Sequence, residues 1–471
     1  MIERRKFLHE RAAQALESLF ASQLDDHLEE LAHHYSRSDN HAKAIEYLGR
    51  AGQHAAQHSA NTEAIMHLNV ALGLLLTLPD TPERTEQELA IQVAPGPPLQ
   101  ASKGWAAPEV ERAYTRAREL SERLGDPSDL FSALFGLRTV NLFRGELRKA
   151  HQLSERLLQL AQGQHEPELF LYEHSALGNT FYWMGKFAHA RENLEIAISV
   201  VYDPERHTPL TSRYFGVDAK ASCLSYAAFT LWQLGYPDQA LKKVHAAVAV
   251  AQKLCHPFSL SWTGYYVGVV RQLRREAHAA QGTAEIEITR AAEYGFIQFL
   301  AATILRGWAL AAQRHREEGI AQIREGLATS RAEPYRPHHL CLLAEACTEI
   351  GRLDEALAAL AGALESADEH EIRHYEAETH RLKGELLLRQ HDSNAAEAQR
   401  CFGRAIEIAR RQSAKSWELR ATTSLARLLA SLGRRDEART ILADVYNWFT
   451  EGFDTADLKD AKALLDELNT L

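Results

Sequence analysis

The pattern with the most chemical content is His370-Glu371-Ile-Arg-His374, which satisfies H-E-x-x-H, with His380 standing where a third zinc ligand would follow. In a zinc hydrolase both His sit on one face of one helix and the Glu serves as general base. The extended form of the motif also needs a Gly to turn the chain toward the third ligand. Here that position is Ala377, in a stretch of strong helix formers. Six residues of helix carry the third side chain about 240° around the axis from His374, away from the pair. The Met residues stand at 1, 66 and 184, so none follows to form a Met-turn. No metalloprotease is expected, and residues 370–374 are expected to be the solvated start of a helix after an Asp368-Glu369 turn.

Other chemistry-bearing patterns are weaker. His54 and His58 stand at i and i+4, a metal-ligand spacing, but in a chain with 23 His such pairs arise by chance on surface helices. Cys341 and Cys347 lie six apart and share a helical face poorly, so packing is the expected role. The five Cys (Cys223, Cys255, Cys341, Cys347, Cys401) are odd in number and without a C-x-x-C, which argues against a disulfide framework or a zinc knuckle and for reduced, mostly packed thiols. No G-x-x-x-x-G-K-[ST] occurs, so a phosphate-cradling loop is absent, and no paired aspartates on strands suggest a cyclase metal site. The expectation is a chain with no catalytic centre and no cofactor.

The elements behind these residues are helical. Of 471 residues, 45% are hydrophobic and 25% charged, with many Ala, Leu, Glu and Arg, a composition of helices in a soluble protein. The net charge is -10, and no Lys/Arg run stands clear of acidic neighbours, which gives no sign of a phosphate-tracking surface and makes nucleic acid an unexpected partner. No stretch approaches the ~20 apolar residues of a membrane span and the charged opening has no signal-type apolar region. The cytoplasm is the expected location, with no membrane partner.

A repeat is legible. The tetratricopeptide (TPR) motif, of period 34, places small residues where two helices approach closely and large ones in the gap. Leu177-Gly178, Phe181, Gly185, Phe187, Ala190, Leu194 and Ala197 form the best unit. The same grammar recurs at Ala344, Cys347, Gly351, Ala356, Leu360 and Ala363, and at Ala426, Leu429, Gly433, Ala438 and Leu442. Ala228, Leu231, Gly235-Tyr236-Pro237 and Ala240 make a further unit. Gly307, Leu310, Gly319 and Ile323 make one whose turn lacks its Gly, and Gly384, Leu387, Ala398, Phe402 and Ala405 one with extra residues at 391–394. At the start, Ala32, Tyr35, Ala44, Leu48 and Ala51 are followed so soon by Ala64, Leu68 and Ala71 that one helix must serve two neighbours. Turns at Gly145 and before Ala277 are weaker copies. The fold class is therefore all-α, a TPR-like helical-repeat solenoid, expected to be a right-handed superhelix of antiparallel pairs.

Two interruptions divide it. Ala94-Pro95-Gly96-Pro97-Pro98 ends a helix, because Pro lacks the amide and clashes with the preceding turn, and the array restarts with Pro108 at the first helical position. The domains expected are residues 1–93, N-terminal repeats; 94–107, a Pro/Gly-rich break in the solenoid; 108–445, the main array; and 446–471, a C-terminal capping helix. A second long connection, from Tyr202 to Ala219, has the length to fold over the concave face.

Several segments together resemble one family: Leu31-Ala-His-His-Tyr35, Ser59-Ala-Asn-Thr-Glu-Ala-Ile65, Lys103-Gly-Trp-Ala-Ala-Pro-Glu-Val110, Cys223-Leu-Ser-Tyr-Ala227, Leu234-Gly-Tyr-Pro-Asp-Gln-Ala-Leu241, His256-Pro-Phe-Ser-Leu260, Ile304-Leu-Arg-Gly-Trp308, Arg381-Leu-Lys-Gly-Glu-Leu-Leu387 and the closing Trp448-Phe-Thr-Glu-Gly-Phe-Asp-Thr-Ala-Asp-Leu458. The resemblance is to the TPR tail of bacterial signalling proteins in which a class III adenylate/guanylate cyclase domain precedes a STAND-like ATPase. It implies a sensor arm whose catalytic domains are not in this chain, beginning near Arg4-Arg-Lys-Phe-Leu-His-Glu-Arg11 just after the ATPase module. A STAND-type transcriptional activator is the alternative context, but its terminal helix-turn-helix has no counterpart in the amphipathic tail at 457–468.

Helix A positions that face the superhelix interior are free of helix pairing and are where TPR ligands dock. In the middle units Tyr182, Phe229, Trp232, Trp262, Tyr266 and Trp308 are expected to line them, with Arg271 and Arg306 as anion partners. Such a stripe suits a protein or peptide segment or an apolar small molecule; ordinary packing between helices is the competing role.

Overall fold

A computed structural model describes residues 2–164, 167–203, 211 and 216–470. Among them all regular structure is helical, with no strand. Helix Leu353–His370 shows why: Ala356, Ala359, Leu360, Ala363 and Ala367 fall on one face and are buried, the 3.6-residue stripe of an amphipathic helix, and Asp354 and Glu355 sit in its first turn, where the helix dipole favours them.

The repeat is written most clearly in its turns. At Gly145, Gly185, Gly235, Gly351 and Gly433 the backbone adopts a left-handed φ, and Arg275 and Arg314 adopt the same conformation without glycine. In each turn the next residue donates its N–H to the carbonyl five residues back: Glu146 to Asn141, Lys186 to Phe181, Tyr236 to Leu231, Glu276 to Arg271, His315 to Leu310, Arg352 to Cys347 and Arg434 to Leu429, all at 2.9–3.0 Å. This is the bond that closes a helix C-terminus over a left-handed residue. The turn without its Gly thus keeps the same geometry, at the ~1–2 kcal/mol that a side chain in the left-handed region costs. Successive turns fall mostly about 40 residues apart rather than 34, because helices such as Pro237–Leu254 and Leu353–His370 run to 18 residues.

By contacts the chain forms two compact units, Met1–Val140 with Asp203–Val217 and His256–Phe258, and Asn141–Tyr202 with Asp218–Cys255 and Ser259–Leu471. In the first, helix His41–Gln57 packs on both Leu28–Tyr35 and Asn61–Leu75, so one helix does serve two neighbours. The proline segment differs from expectation. Helix Pro82–Val93 ends where the prolines begin, but Gly96–Lys103 is itself a helix with Pro in its first turn and residues 96–101 buried. Proline suits a helix start as well as it ends one, and Gly96 leaves room for the Tyr114 hydroxyl, 2.1 Å from where a Cβ would stand. The segment is a packed part of its unit. Pro108 begins the following helix, Pro108–Leu124, as read.

In the second unit, helices pair in order: Pro167–Trp183 with Phe187–Ser199, Ala219–Gln233 with Pro237–Leu254, Ala302–Ala312 with Arg316–Thr329, Arg336–Thr348 with Leu353–His370, Glu376–Gln390 with Ala395–Arg411, and Lys415–Ser431 with Arg435–Tyr446. The extra residues at 391–394 form a short 3-10 turn, Asp392–Asn394. Two helices approach closely at Gly307 and Gly319: a Cβ on either would stand 2.6 or 2.4 Å from the other's carbonyl oxygen. The last helix, Ala456–Asn469, covers the array's end with Leu458, Ala461, Leu464, Leu465 and Leu468. The Tyr202-to-Ala219 connection, with its proposed fold over the concave face, lies largely outside the described residues.

Candidate functional site

The H-E-x-x-H segment is neither a helix face nor a solvated helix start. Helix Leu353–His370 ends at its first His, Glu371 takes a left-handed φ of 56°, and the next helix begins only at Glu376. His374 is buried, not solvated: its ring lies 4.8 Å from Trp183 and 5.5 Å from Tyr182. Glu371 pairs with Arg148 through two hydrogen bonds of 2.7 and 2.5 Å. The propensity of the 376–390 stretch was read too far toward the N-terminus. Among the described residues no group of three or more His, Cys, Asp or Glu is placed to hold a metal. Cys223, Cys341 and Cys347 are buried thiols, whereas Cys255 is exposed.

The six aromatics of the predicted stripe are all buried, at 0–6% exposure. Phe229 stacks on Tyr266 at 4.3 Å, Trp262 on Tyr266 at 4.9 Å, and Tyr182 meets Phe229 at 5.6 Å. Trp232 meets Trp417 edge-on at 4.6 Å, with the Arg420 guanidinium over both rings. Trp308 stands apart from that cluster and donates its indole N–H to Glu345 at 3.0 Å. Arg271 and Arg306 do not join the aromatics: each faces a glutamate, Glu276 at 3.8 Å and Glu285 at 3.2 Å.

What covers the stripe is the unit's own later repeats, which the sequence reading missed. Carbonyl groups at the ends of three early helices accept hydrogen bonds from far along the chain: Trp183 from the Arg373 amide at 2.9 Å, Trp232 from the Ser416 hydroxyl at 2.5 Å, and Leu273 from the Arg420 guanidinium at 2.6 Å. Such carbonyls at a helix C-terminus have no i+4 amide to pair with; that of Trp232 also accepts the Gly235 N–H at 3.1 Å. Tyr226, Tyr265, Tyr335, His338, His339, Tyr375 and Trp417 complete the aromatic interior, with Tyr265 bonded to His339 and His338 to Gln272. Burial holds these histidines neutral: it pushes His339 and His374 down to about 3 and His338 well below its ordinary value. Their position after a Pro or a helix end gave no periodic signal to find them by.

Further along lies a polar pocket of 160 Å³, lined by Arg275, Glu345, Arg381, Arg420, Thr423, Ser424, Arg427, Asp457 and Asp460. Its register links it to the predicted stripe. Phe229, Trp308, Glu345 and Arg427 each stand six residues before the left-handed residue of their own turn, Gly235, Arg314, Gly351 and Gly433 respectively. Most of its charges are matched. Arg420 donates to Asp457 at 2.8 Å, Arg275 to Asp460 at 2.7 Å, and Arg381 to the buried Glu378 at 2.8 Å. Burial pushes the Glu378 carboxyl up, but Arg381 and Arg420 outweigh it and hold it below the ordinary value. Removing one partner from such a buried network costs ~3–5 kcal/mol.

No family model matches the chain. An uncharacterised protein of Rhizobium meliloti (strain 1021) is 24% identical over 414 residues, which cover 86% of this chain and 39% of that protein. The chain thus spans about two fifths of that relative's length. Among solved structures, the APC/C hetero-tetramer Cut9–Hcn1 matches 98% of this chain and 93% of its own at 13% identity, with a TM-score of 0.50. A Rap protein complexed with Competence and Sporulation Factor matches 83% of this chain and 99% of its own at 10% identity, with a TM-score of 0.49. At 13% identity the likeness to Cut9–Hcn1 is one of fold, and with the paired helices described above the chain is an all-helical, TPR-like repeat module. Among the described residues no helix is long and apolar enough to cross a membrane.

Proposed function

We propose that the chain is an interaction and sensing module, which recognises a protein or peptide segment or a small ligand on the inner face of its helices A. The observation that carries this reading is the register: the position six residues before the left-handed turn residue presents Phe229, Trp308, Glu345 and Arg427 in four of the repeats, chemically varied side chains at one repeat position. Tyr182, Phe229, Trp232, Trp262, Tyr266 and Trp308, buried under the later repeats, back this face as packed support, and the pocket around Arg381 and Arg427 is the part open to a ligand. Arg271 and Arg306 belong to it less directly, since each already faces a glutamate.

In the resemblance to cyclase and STAND-like ATPase proteins, this module is the sensor arm of a longer signalling chain. A relative more than twice this chain's length supports only that the module can be one part of a longer protein. The test is deletion of the corresponding arm from a protein that carries the cyclase and ATPase domains ahead of it, followed by cyclase output with and without cell extract. The reading expects output to lose its response to extract. An unchanged response sinks the signalling context.

A further inference from the structure

Two side chains of the polar pocket have charge left over. Arg427 is exposed and makes no hydrogen bond or ion pair among the described residues. Glu345 accepts the Trp308 indole N–H at 3.0 Å and, among the described residues, has no cation within ion-pair distance. The other charges are satisfied: Arg275 and Arg420 by Asp457 and Asp460, and Arg381 by Glu378 and Glu385 at 2.8 and 3.4 Å. The unspent charges are thus one guanidinium and one carboxylate, at the same repeat position of different helices, on the wall of one 160 Å³ space.

A bare anion would meet Arg427 but also the field of Glu345 and the aspartates. A bare cation would meet Arg381 and Arg420. A molecule carrying both charges satisfies both groups, and the volume, about that of five waters at ~30 Å³ each, admits a small one. We propose that this pocket binds a small zwitterion of the amino-acid type, its carboxylate on Arg427 and its ammonium on Glu345. The inference rests on the sensing role proposed above and names the ligand class for its polar part. The planar fork of Arg427 suits a carboxylate in bidentate fashion, and Ser424 and Thr423 stand beside it.

The test is calorimetric titration of the full chain with the twenty free amino acids, each also as its N-acetyl and C-amide derivative, on the wild type, Arg427→Gln and Glu345→Gln. Arg427 is exposed and glutamine at 345 still accepts the indole N–H, so both variants should melt as the wild type does. The expected result is that one or a few small amino acids bind, that blocking either end weakens binding, and that each variant weakens it by about tenfold or more. The proposal is overturned if no amino acid binds, or if binding ignores both variants and both blocking groups. Retention of a macromolecular partner by the two variants, together with no amino-acid binding, removes this pocket and leaves the interaction role standing.

Discussion

Replacing His374 by Phe tests the closed interior of the second unit. The wild-type ring is buried against Trp183 and Tyr182, and burial pushes its pKa from 6.5 down to about 3. In the unfolded chain it takes up a proton below pH 6.5; in the fold it stays neutral until about pH 3. Its contribution is therefore complete above pH 6.5 and is lost progressively as pH falls toward 3. At pH 5 the loss is ~1.5 pH units at ~1.36 kcal/mol each, or ~2 kcal/mol. Phenylalanine keeps the ring contacts and has nothing to protonate, at a packing cost under ~1.5 kcal/mol. Buried carboxyls such as Glu173 and Glu287 push the wild-type pH profile the other way, so the difference between the two proteins is the informative quantity. Urea unfolding at pH 8 and pH 5, followed by tryptophan emission, reports on this unit, which holds all the tryptophans except Trp105. The variant should gain ~2 kcal/mol on the wild type between pH 8 and pH 5. A difference that does not change with pH refutes the burial of His374 and with it the packing of early on late repeats.

Three further outcomes follow from the same packing. Among the described residues Glu173 is buried without a hydrogen-bond partner, and its carboxyl is pushed up to about 8 by burial; its stabilising share is whole below pH 4.5 and lost as pH rises through 8, so Glu173→Gln should gain about 3 kcal/mol on the wild type between pH 5 and pH 8 in urea titrations. Gly307→Val drives a side chain into the Gly319 carbonyl and Ile323, and should lower the stability of the second unit by ~1–3 kcal/mol, seen as a lower urea midpoint. A thiol reagent at pH 8 should label Cys255 at once, while Cys223 and Cys347, pushed up by burial to about 12 and 11, and the buried Cys341 react only on unfolding.

The helix pairs were legible because each is a local pattern: Gly178 and Leu194, or Ala356 and Leu360, declare their contact through spacing alone. The turns at Arg275 and Arg314 were harder to read, since the left-handed residue there carries a side chain and only the backbone bond identifies it. The prolines at 95–98 were read as a break because proline ends one helix and begins another with equal force, and the deciding contact, Tyr114 on Gly96, is tertiary. The aromatic stripe was visible residue by residue, but its burial was not. That depends on Arg373, Ser416 and Arg420 reaching carbonyl groups 147 to 190 residues away in sequence, a superhelical contact with no local signature. The polar pocket was missed for the same reason, since its register emerges only when the turns are aligned.

The central claim is that partners are recognised on the inner face of helices A. A photo-reactive residue placed singly at Arg427 or Glu345, on that face, and at Arg404 or Arg439, on exposed faces of the paired second helices, tests it in extract of the native host. The account predicts a discrete cross-linked species from the first two positions and none from the second two. Cross-links from Arg404 or Arg439 alone would contradict it.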